Sequence, residues 1–204
     1  SLKNLKLNGL SVHIGSQITN IKPFQLVLGV LNKIIKETKI NFKFIDLGGG
    51  IGIPYSNKDE KLDLNKYAKL VNKFIKNKKT QIIFEPGRYI VGNTSILISK
   101  IIYIKKSNKK NFVILDAGMN DLMRPALYNA HHKIIPLKKS NRKIDGDVVF
   151  VGPICETSDK FLNQKGFSKI EEGDFVAITD VGAYGMSLTS NYNTRPIIAE
   201  IMID

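Results

Sequence analysis

The N-terminal part of the chain (1–88) alternates between strand-like runs and amphipathic helical patterns, and this alternation restricts the possible folds more than any other feature. Apolar residues recur at helical spacing over 23–39 and 62–79, and Pro23 stands near the start of the first pattern, where proline is tolerated. Strand-like apolar runs occupy 7–15, 42–50 and 80–88. Strands and helices that alternate with short connections form parallel sheets with right-handed crossovers. The pattern therefore predicts an α/β fold whose function gathers at the carboxyl ends of its strands.

Three motifs follow the predicted strands: HIGSQ at 13–17, GGG at 48–50 and EPGR at 85–88. The tight turns that follow the strands would not by themselves require three such motifs in succession. Glycine adopts backbone dihedrals that are closed to other residues, and it lets bare N–H groups face a ligand. The triple glycine therefore indicates a site for an anion, most often a phosphate, with plain turn geometry as the alternative.

Beyond about residue 93 the pattern changes to β-branched runs bounded by Gly, Asp and Asn, with no long helix between most of them. These runs cover 95–107, 110–118, 146–156, 173–185 and 195–204. They predict a mostly antiparallel β domain, either a barrel or a sandwich, over 94–204, after an α/β domain over 1–93. Three strands and two helices cannot close a barrel or cover a sheet, so we expect a further portion on the N-terminal side.

The net charge of +13 arises from lysines scattered along the chain, with only four arginines among the basic residues. No RNA-binding or helix-turn-helix pattern accompanies this charge, so we predict a solvated basic surface and no nucleic-acid partner. No apolar run approaches the roughly 18 to 20 residues that span a membrane, and the N-terminus lacks the apolar region of a signal peptide. The single cysteine, Cys155, excludes an intrachain disulfide and fits a reducing compartment. These features together predict a cytoplasmic protein.

Six segments, read together, resemble the diaminopimelate decarboxylases: HIGSQ, GGGIGI, EPGR, DAGMNDLMRPALY, CETSD and GAYGMSLTSNYNTRP. These enzymes depend on pyridoxal phosphate and combine an alanine-racemase-like barrel with a β domain. The resemblance covers nearly the whole chain, and it implies that 1–93 form the last strands of a parallel (β/α)8 TIM-type barrel. It also implies a homodimer with shared active sites. The implied reaction converts meso-2,6-diaminopimelate to L-lysine and carbon dioxide, the last step of lysine biosynthesis.

The resemblance also implies how the cofactor is held. The expected cofactor-binding residues are His13, Ser16, Gly48, Gly49, Gly50, Glu85, Pro86, Gly87, Arg88 and Tyr184. The glycine loop and Ser16 would bind the phosphate, and His13 would stack on the ring. Glu85 would face the pyridine nitrogen, where a carboxylate favours the protonated form and so strengthens the cofactor as an electron sink. Pro86 and Gly87 would fix the turn that presents Arg88.

The same resemblance assigns the substrate contacts. Arg88, Arg124 and Tyr128 would hold the carboxylate at the non-reacting end, because a guanidinium grips a carboxylate through paired hydrogen bonds. The remaining expected contacts are Glu156 with the distal amine, Tyr184 near the substrate, and Cys155 as the catalytic acid that protonates the carbon after decarboxylation. A decarboxylase of ornithine or arginine needs no such carboxylate clamp. The segment MNDLMRPALY therefore favours diaminopimelate as the substrate.

One family feature is missing from the chain. These enzymes bind the cofactor through a lysine upstream of HIGSQ, and no lysine here stands in a matching strand context. We therefore expect this chain alone to be inactive or unable to fold by itself. The alternatives are a related decarboxylase of ornithine, arginine or carboxynorspermidine, an alanine racemase relative, or a non-catalytic truncated relative. No metal site is predicted, Arg142 is expected on the surface, and Arg195 is expected in a structural ion pair.

Overall fold

The computed structural model describes residues 3–107, 110–138 and 140–203. The chain forms two compact units, Ser1–Ile90 and Val91–Asp204. No helix in the described ranges is long and apolar enough to cross a membrane.

The first unit contains a three-stranded parallel sheet and two helices, as the alternating pattern predicts. Its elements are β1 (Gly9–Ser11), α1 (Lys22–Thr38), β2 (Phe44–Asp46), α2 (Leu64–Ile75) and β3 (Gln81–Ile83). The strands lie in the order β1-β2-β3, and Ser11, Asp46 and Ile83 occupy the same register position. All three strands therefore end at one edge of the sheet.

The helices form where apolar residues recur at intervals of three and four, so that one face can be buried. Helix α1 buries Phe24, Leu28 and Leu31. Helix α2 begins after Asp63, whose carboxylate accepts a hydrogen bond from the Lys66 N–H at 3.0 Å and caps the first turn. This cap explains why the helix starts at residue 64 instead of residue 62.

The second unit is built around a six-stranded mixed sheet. A short helix, α3 (Arg88–Val91), crosses the division between the units. The elements that follow are β4 (Leu97–Lys106), β5 (Lys110–Leu115), α4 (Arg124–Tyr128), β6 (Ile134–Pro136), β7 (Asp147–Val151), β8 (Lys160–Lys165), β9 (Phe175–Ile178) and 3₁₀ turns at Met186–Leu188 and Tyr192–Thr194. The strand order is β6-β9-β4-β5-β7-β8. Every neighbouring pair is antiparallel except β5 and β7, so the predicted antiparallel arrangement holds with one parallel exception.

The core of this unit lies on the four central strands. Their inward side chains are 0% exposed, namely Ile101, Val113, Leu115, Val148, Phe150, Val176 and Ile178. Burial of this many β-branched and aromatic side chains holds the sheet rigidly. The loops that leave these strands therefore start from fixed positions.

One strand prediction was wrong, and two strands were not predicted. The run at 195–204 was expected to be a strand, but its described part, 195–203, is not one, and Ile201 and Met202 remain 80% and 92% exposed. β-branched composition favours a strand only where a neighbouring edge and a buried face exist. Strands β6 and β8 were not expected, because both are edge strands, which tolerate proline and polar residues.

Candidate active site

The three glycine-containing motifs of the first unit lie together at the carboxyl edge of its sheet. The Glu85 N–H donates to the Gly48 carbonyl at 2.9 Å, and the Ile18 N–H donates to the Gly50 carbonyl at 2.9 Å. The HIGSQ loop and the EPGR loop therefore flank the triple glycine on its two sides. The parallel register of β1, β2 and β3 produces this convergence, because parallel strands end at the same edge.

The triple glycine is required by the close approach of these neighbouring loops. A Cβ atom on Gly49 would lie 2.2 Å from the carbonyl oxygen of Glu85, and one on Gly50 would lie 2.3 Å from that of Gly15. A Cβ atom on Gly48 would lie 2.5 Å from the Val12 carbonyl oxygen. Each obstructing atom belongs to the backbone and cannot rotate away. The bare backbone of this loop is thus a packing requirement as well as a possible ligand surface.

Asp46 shapes the same loop, although none of the motifs predicted it. Its carboxylate accepts the Gly48 N–H at 2.8 Å and the Ser11 hydroxyl at 3.3 Å. Within the described part of the chain, the N–H groups of Gly49 and Gly50 donate to no protein acceptor. Two backbone donors of the loop can therefore serve an anion, whereas the third is used internally. An aspartate two residues before a glycine turn is the signal that could have identified this role.

Arg88 is buried, at 9% exposure, directly after the Pro-Gly turn of EPGR. Its Nη1 donates to the Tyr55 hydroxyl at 2.5 Å, and its Nη2 donates to the Ser16 hydroxyl at 3.4 Å. The guanidinium therefore supports the serine that was predicted to bind phosphate. The side chains of His13 and Glu85 are exposed at this edge. Tyr55, which is 8% exposed and follows the glycine loop, was not predicted.

Arg124 is the first residue of α4 in the second unit, and it is 5% exposed. Its Nη1 lies 2.7 Å from His132 Nε2, and the other ring nitrogen of His132 lies 2.9 Å from the Thr179 carbonyl oxygen. Burial lowers the pKa of His132 to about 4, and the Arg124 charge acts in the same direction. Tyr128, at the end of α4, has an exposed side chain. His132 was not predicted, because two adjacent histidines give no local sign of which one is buried.

The CETSD segment is anchored by its last residue. One carboxylate oxygen of Asp159 accepts the Met119 N–H at 2.7 Å, and the other accepts the Ile154 N–H at 2.8 Å. Asp159 is 3% exposed, and burial raises its pKa. Cys155 and Glu156 lie exposed on the loop that Asp159 holds. Asp159 therefore connects CETSD to the DAGMND segment.

A second buried network fixes DAGMND itself. The Nε of Arg195 donates to the Asn120 side-chain oxygen at 3.0 Å, and its Nη2 lies 3.4 Å from the Asp121 carboxylate. Asn120 is 0% exposed and also donates to the Asp121 carboxylate, at 2.8 Å. The ion pair agrees with the structural role expected for Arg195. The parts played by Asn120 and Asp121 were not predicted, since both partners of Arg195 are distant in sequence.

Tyr184 has a left-handed backbone conformation with φ of 62° and is 46% exposed. A residue with a side chain adopts this conformation at an energetic cost, and such strain is often found at functional sites. The following glycine is obligatory, because a Cβ on Gly185 would lie 2.1 Å from the Val181 carbonyl oxygen. The GAYG segment therefore holds an exposed tyrosine in one backbone orientation.

The structure brings the predicted residues of the first unit together at one sheet edge, and it places those of the second unit on separate elements. In the first unit, the group at the sheet edge comprises His13, Ser16, Gly48, Gly49, Gly50, Glu85, Pro86, Gly87 and Arg88. In the second unit, the predicted residues lie on helix α4 and on two loops next to the sheet, namely Arg124, Tyr128, Cys155, Glu156 and Tyr184.

Comparisons with known proteins agree on one family. The family described as pyridoxal-dependent decarboxylase, C-terminal sheet domain, matches residues 26–182. The diaminopimelate decarboxylase of Aquifex aeolicus is 40% identical over 100% of this chain and 49% of its own length. That of Vibrio cholerae is 43% identical, again over 100% of this chain and 49% of its own. The chain spans about half the length of the curated relatives it matches.

Solved structures give the same result. A crystal structure of a protein from Aquifex aeolicus matches with a TM-score of 0.90 and 39% identity, over 99% of this chain and 51% of that one. The diaminopimelate decarboxylase of Helicobacter pylori, in complex with L-lysine, matches with a TM-score of 0.82 and 41% identity, over 94% and 48% of the two chains. A lysine decarboxylase from Selenomonas ruminantium matches with a TM-score of 0.80 at 25% identity, over 93% and 50%.

Proposed function

Because the chain belongs to the family of pyridoxal-dependent decarboxylases, we propose that the complete protein converts meso-2,6-diaminopimelate to L-lysine and carbon dioxide. The observation that carries this proposal is the 40% to 43% identity, along the whole chain, with relatives named diaminopimelate decarboxylase. Identity with a lysine decarboxylase falls to 25%. The residues of the candidate site support the same substrate class.

The first unit fits pyridoxal phosphate. The glycine loop forms a cradle that a side chain would fill, and the N–H groups of Gly49 and Gly50 can bind an anion. The Ser16 hydroxyl, supported by the buried positive charge of Arg88, adds a further polar group suited to a phosphate. We propose that 1–93 form the last strands of a (β/α)8 barrel that binds this cofactor, and that 94–204 form the C-terminal β domain.

When bound, pyridoxal phosphate supplies an electron sink for the electron pair that remains after carbon dioxide leaves. Glu85 would hold a proton at the pyridine nitrogen, since an adjacent carboxylate favours the charged form of a base. His13, on the HIGSQ loop, would stack on the ring. The backbone of the glycine loop and the Ser16 hydroxyl would bind the phosphate group, and Tyr184 is proposed as a further cofactor-binding residue.

The second unit supplies the residues that recognise the substrate. Arg124 and Tyr128 would bind the distal carboxylate, and Glu156 would bind the distal amine. The Cys155 thiol donates a proton to the carbon that has lost its carboxylate. We propose that Cys155 and Glu156 serve the active site of the other subunit in a homodimer, and that the enzyme acts in the cytoplasm. Their exposed positions on the CETSD loop suit such an exchange.

The proposed function is tested with the full-length protein and added pyridoxal phosphate, by measuring carbon dioxide release from diaminopimelate, ornithine and arginine. We expect turnover with diaminopimelate and little with the other two. The variant Arg124→Leu should raise KM for diaminopimelate by about 10- to 100-fold, because charge-assisted hydrogen bonds contribute about 1.5–3 kcal/mol. Arg142→Leu, at an exposed arginine, is the matched control and should leave KM unchanged. Faster release from ornithine or arginine would assign the related decarboxylase, and no release from any substrate would favour a non-catalytic relative.

A further inference from the structure

Arg124 and His132 form a pair in which both side chains are buried, at 5% and 1% exposure. The separation of 2.7 Å between Arg124 Nη1 and His132 Nε2 is a short hydrogen bond. A guanidinium is always charged and can only donate, so His132 Nε2 must accept. The contact therefore requires a lone pair on Nε2.

The opposite side of the imidazole fixes its tautomer. His132 Nδ1 lies 2.9 Å from the Thr179 carbonyl oxygen, which can only accept, so Nδ1 carries the hydrogen. The two contacts together define a neutral ring with its proton on Nδ1. Burial, which lowers the pKa of His132 to about 4, favours the same neutral form.

Thr179 is itself held in place by its neighbours, and it therefore fixes the position of the His132 imidazole. It directly follows β9 (Phe175–Ile178), a strand that pairs with β4 and β6. Its N–H donates to the Lys133 carbonyl at 2.9 Å, and its hydroxyl donates to the Asp180 carboxylate at 2.6 Å. The sheet therefore holds Thr179, Thr179 orients the His132 imidazole, and His132 orients the guanidinium of Arg124.

We propose that His132 is a positioning residue, whose neutral Nε2 fixes the Arg124 guanidinium in the orientation that receives the distal carboxylate of the substrate. This role rests on the proposed function. A neutral acceptor suits the task, because it orients the guanidinium and adds no negative charge of its own beside the substrate carboxylate. A carboxylate in the same place would compete with the substrate for that charge.

Two substitutions of His132 separate its two contacts. His132→Gln places an amide oxygen near the position of Nε2 and can still accept from Arg124. His132→Asn places an amide near the position of Nδ1 and can still donate to Thr179, but it lacks the acceptor for Arg124. His131→Asn, at the exposed neighbouring histidine, is the matched control.

The test measures inhibition of the full-length holoenzyme by L-lysine, which has the distal carboxylate, and by 1,5-diaminopentane, which lacks it. We expect His132→Asn to weaken L-lysine binding and raise KM for diaminopimelate by about 10-fold or more, with kcat and diamine binding changed less than about 3-fold. His132→Gln and His131→Asn should stay within about 3-fold of wild type. Equal weakening of both inhibitors by His132→Asn, or no weakening at all, would overturn the proposal.

A second measurement is independent of catalysis. The nitrogen NMR spectrum of the His132 imidazole should show a neutral ring with its proton on Nδ1, and an imidazolium or an Nε2–H tautomer at neutral pH would overturn the proposal. If the wild-type protein neither binds L-lysine nor decarboxylates diaminopimelate, the proposed function fails, and with it the ligand assigned to Arg124. If wild type passes both tests and only the pattern among the variants differs, the role of His132 alone fails.

Discussion

Replacing Gly49 by alanine tests whether the triple glycine is required by protein packing or only by a ligand. The new Cβ would lie 2.2 Å from the Glu85 carbonyl oxygen, where real contacts are at least 3.0 Å, so the two must separate by about 0.8 Å. The obstructing atom belongs to the backbone of the EPGR loop, two residues after the end of β3. Overpacking of this kind costs about 1–3 kcal/mol. Displacing the Glu85 segment by this amount should also reduce kcat by about 100-fold.

The assay is urea unfolding of the full-length protein without cofactor, compared with wild type and with Gly87→Ala. Gly87 lies in the EPGR loop, and a Cβ there meets no atom within 4 Å, so this control should unfold like wild type or slightly later. We expect the free energy of unfolding of Gly49→Ala to be lower by about 2 kcal/mol. If Gly49→Ala unfolds like Gly87→Ala and loses only affinity for pyridoxal phosphate, the packing argument is wrong and the glycine serves the ligand alone.

Two further predictions concern buried titratable groups. Because the pKa of His132 falls from 6.5 to about 4 on folding, the unfolded state binds the extra proton, and acidification from pH 6.5 to about 4 should lower the contribution of this one residue to the free energy of unfolding by about 3 kcal/mol. His132→Gln should lose this dependence in urea titrations at several pH values, and an unchanged slope would contradict the assignment. In Asp159→Asn the amide can accept only one of the two N–H bonds from Met119 and Ile154, so the free energy of unfolding should fall by about 1–3 kcal/mol. The same measurement on Asp145→Asn, an exposed control, should show no change, and equal values for the two variants would refute the anchoring role of Asp159.

The sequence was most informative where the chain's own periodicity decides the structure. Helices α1 and α2 and the central strands were predictable because apolar spacing decides which face can be buried. Edge strand β8 was not predicted, since it is held by its pairing with β7 and contains mainly polar residues. The run at 195–204 was predicted wrongly for the converse reason, because it has strand composition but no neighbouring edge over its described residues.

The motifs indicated which residue types meet at the candidate site, but they did not reveal what holds them. Tyr55 reaches Arg88 from 33 positions away, and Met119 reaches Asp159 from 40 positions away. Contacts of this separation depend on how strands and loops are brought together, which no local pattern encodes. His132 lies only 8 positions from Arg124, but nothing local distinguishes it from the exposed His131.

The supporting residues share a physical property that explains their chemistry. Tyr55 and His132 are neutral acceptors, and each fixes the guanidinium of a buried arginine. A neutral acceptor restricts the rotation of the guanidinium and adds no negative charge of its own beside it. Asp159, in contrast, bonds two backbone N–H groups with its carboxylate and so holds a loop instead of a charged side chain. Neutral partners thus support the side chains proposed to bind anions, and a charged partner supports the loop that carries Cys155 and Glu156. Exchanging these two kinds of support would place an added negative charge beside each arginine and leave the backbone N–H groups without a strong acceptor.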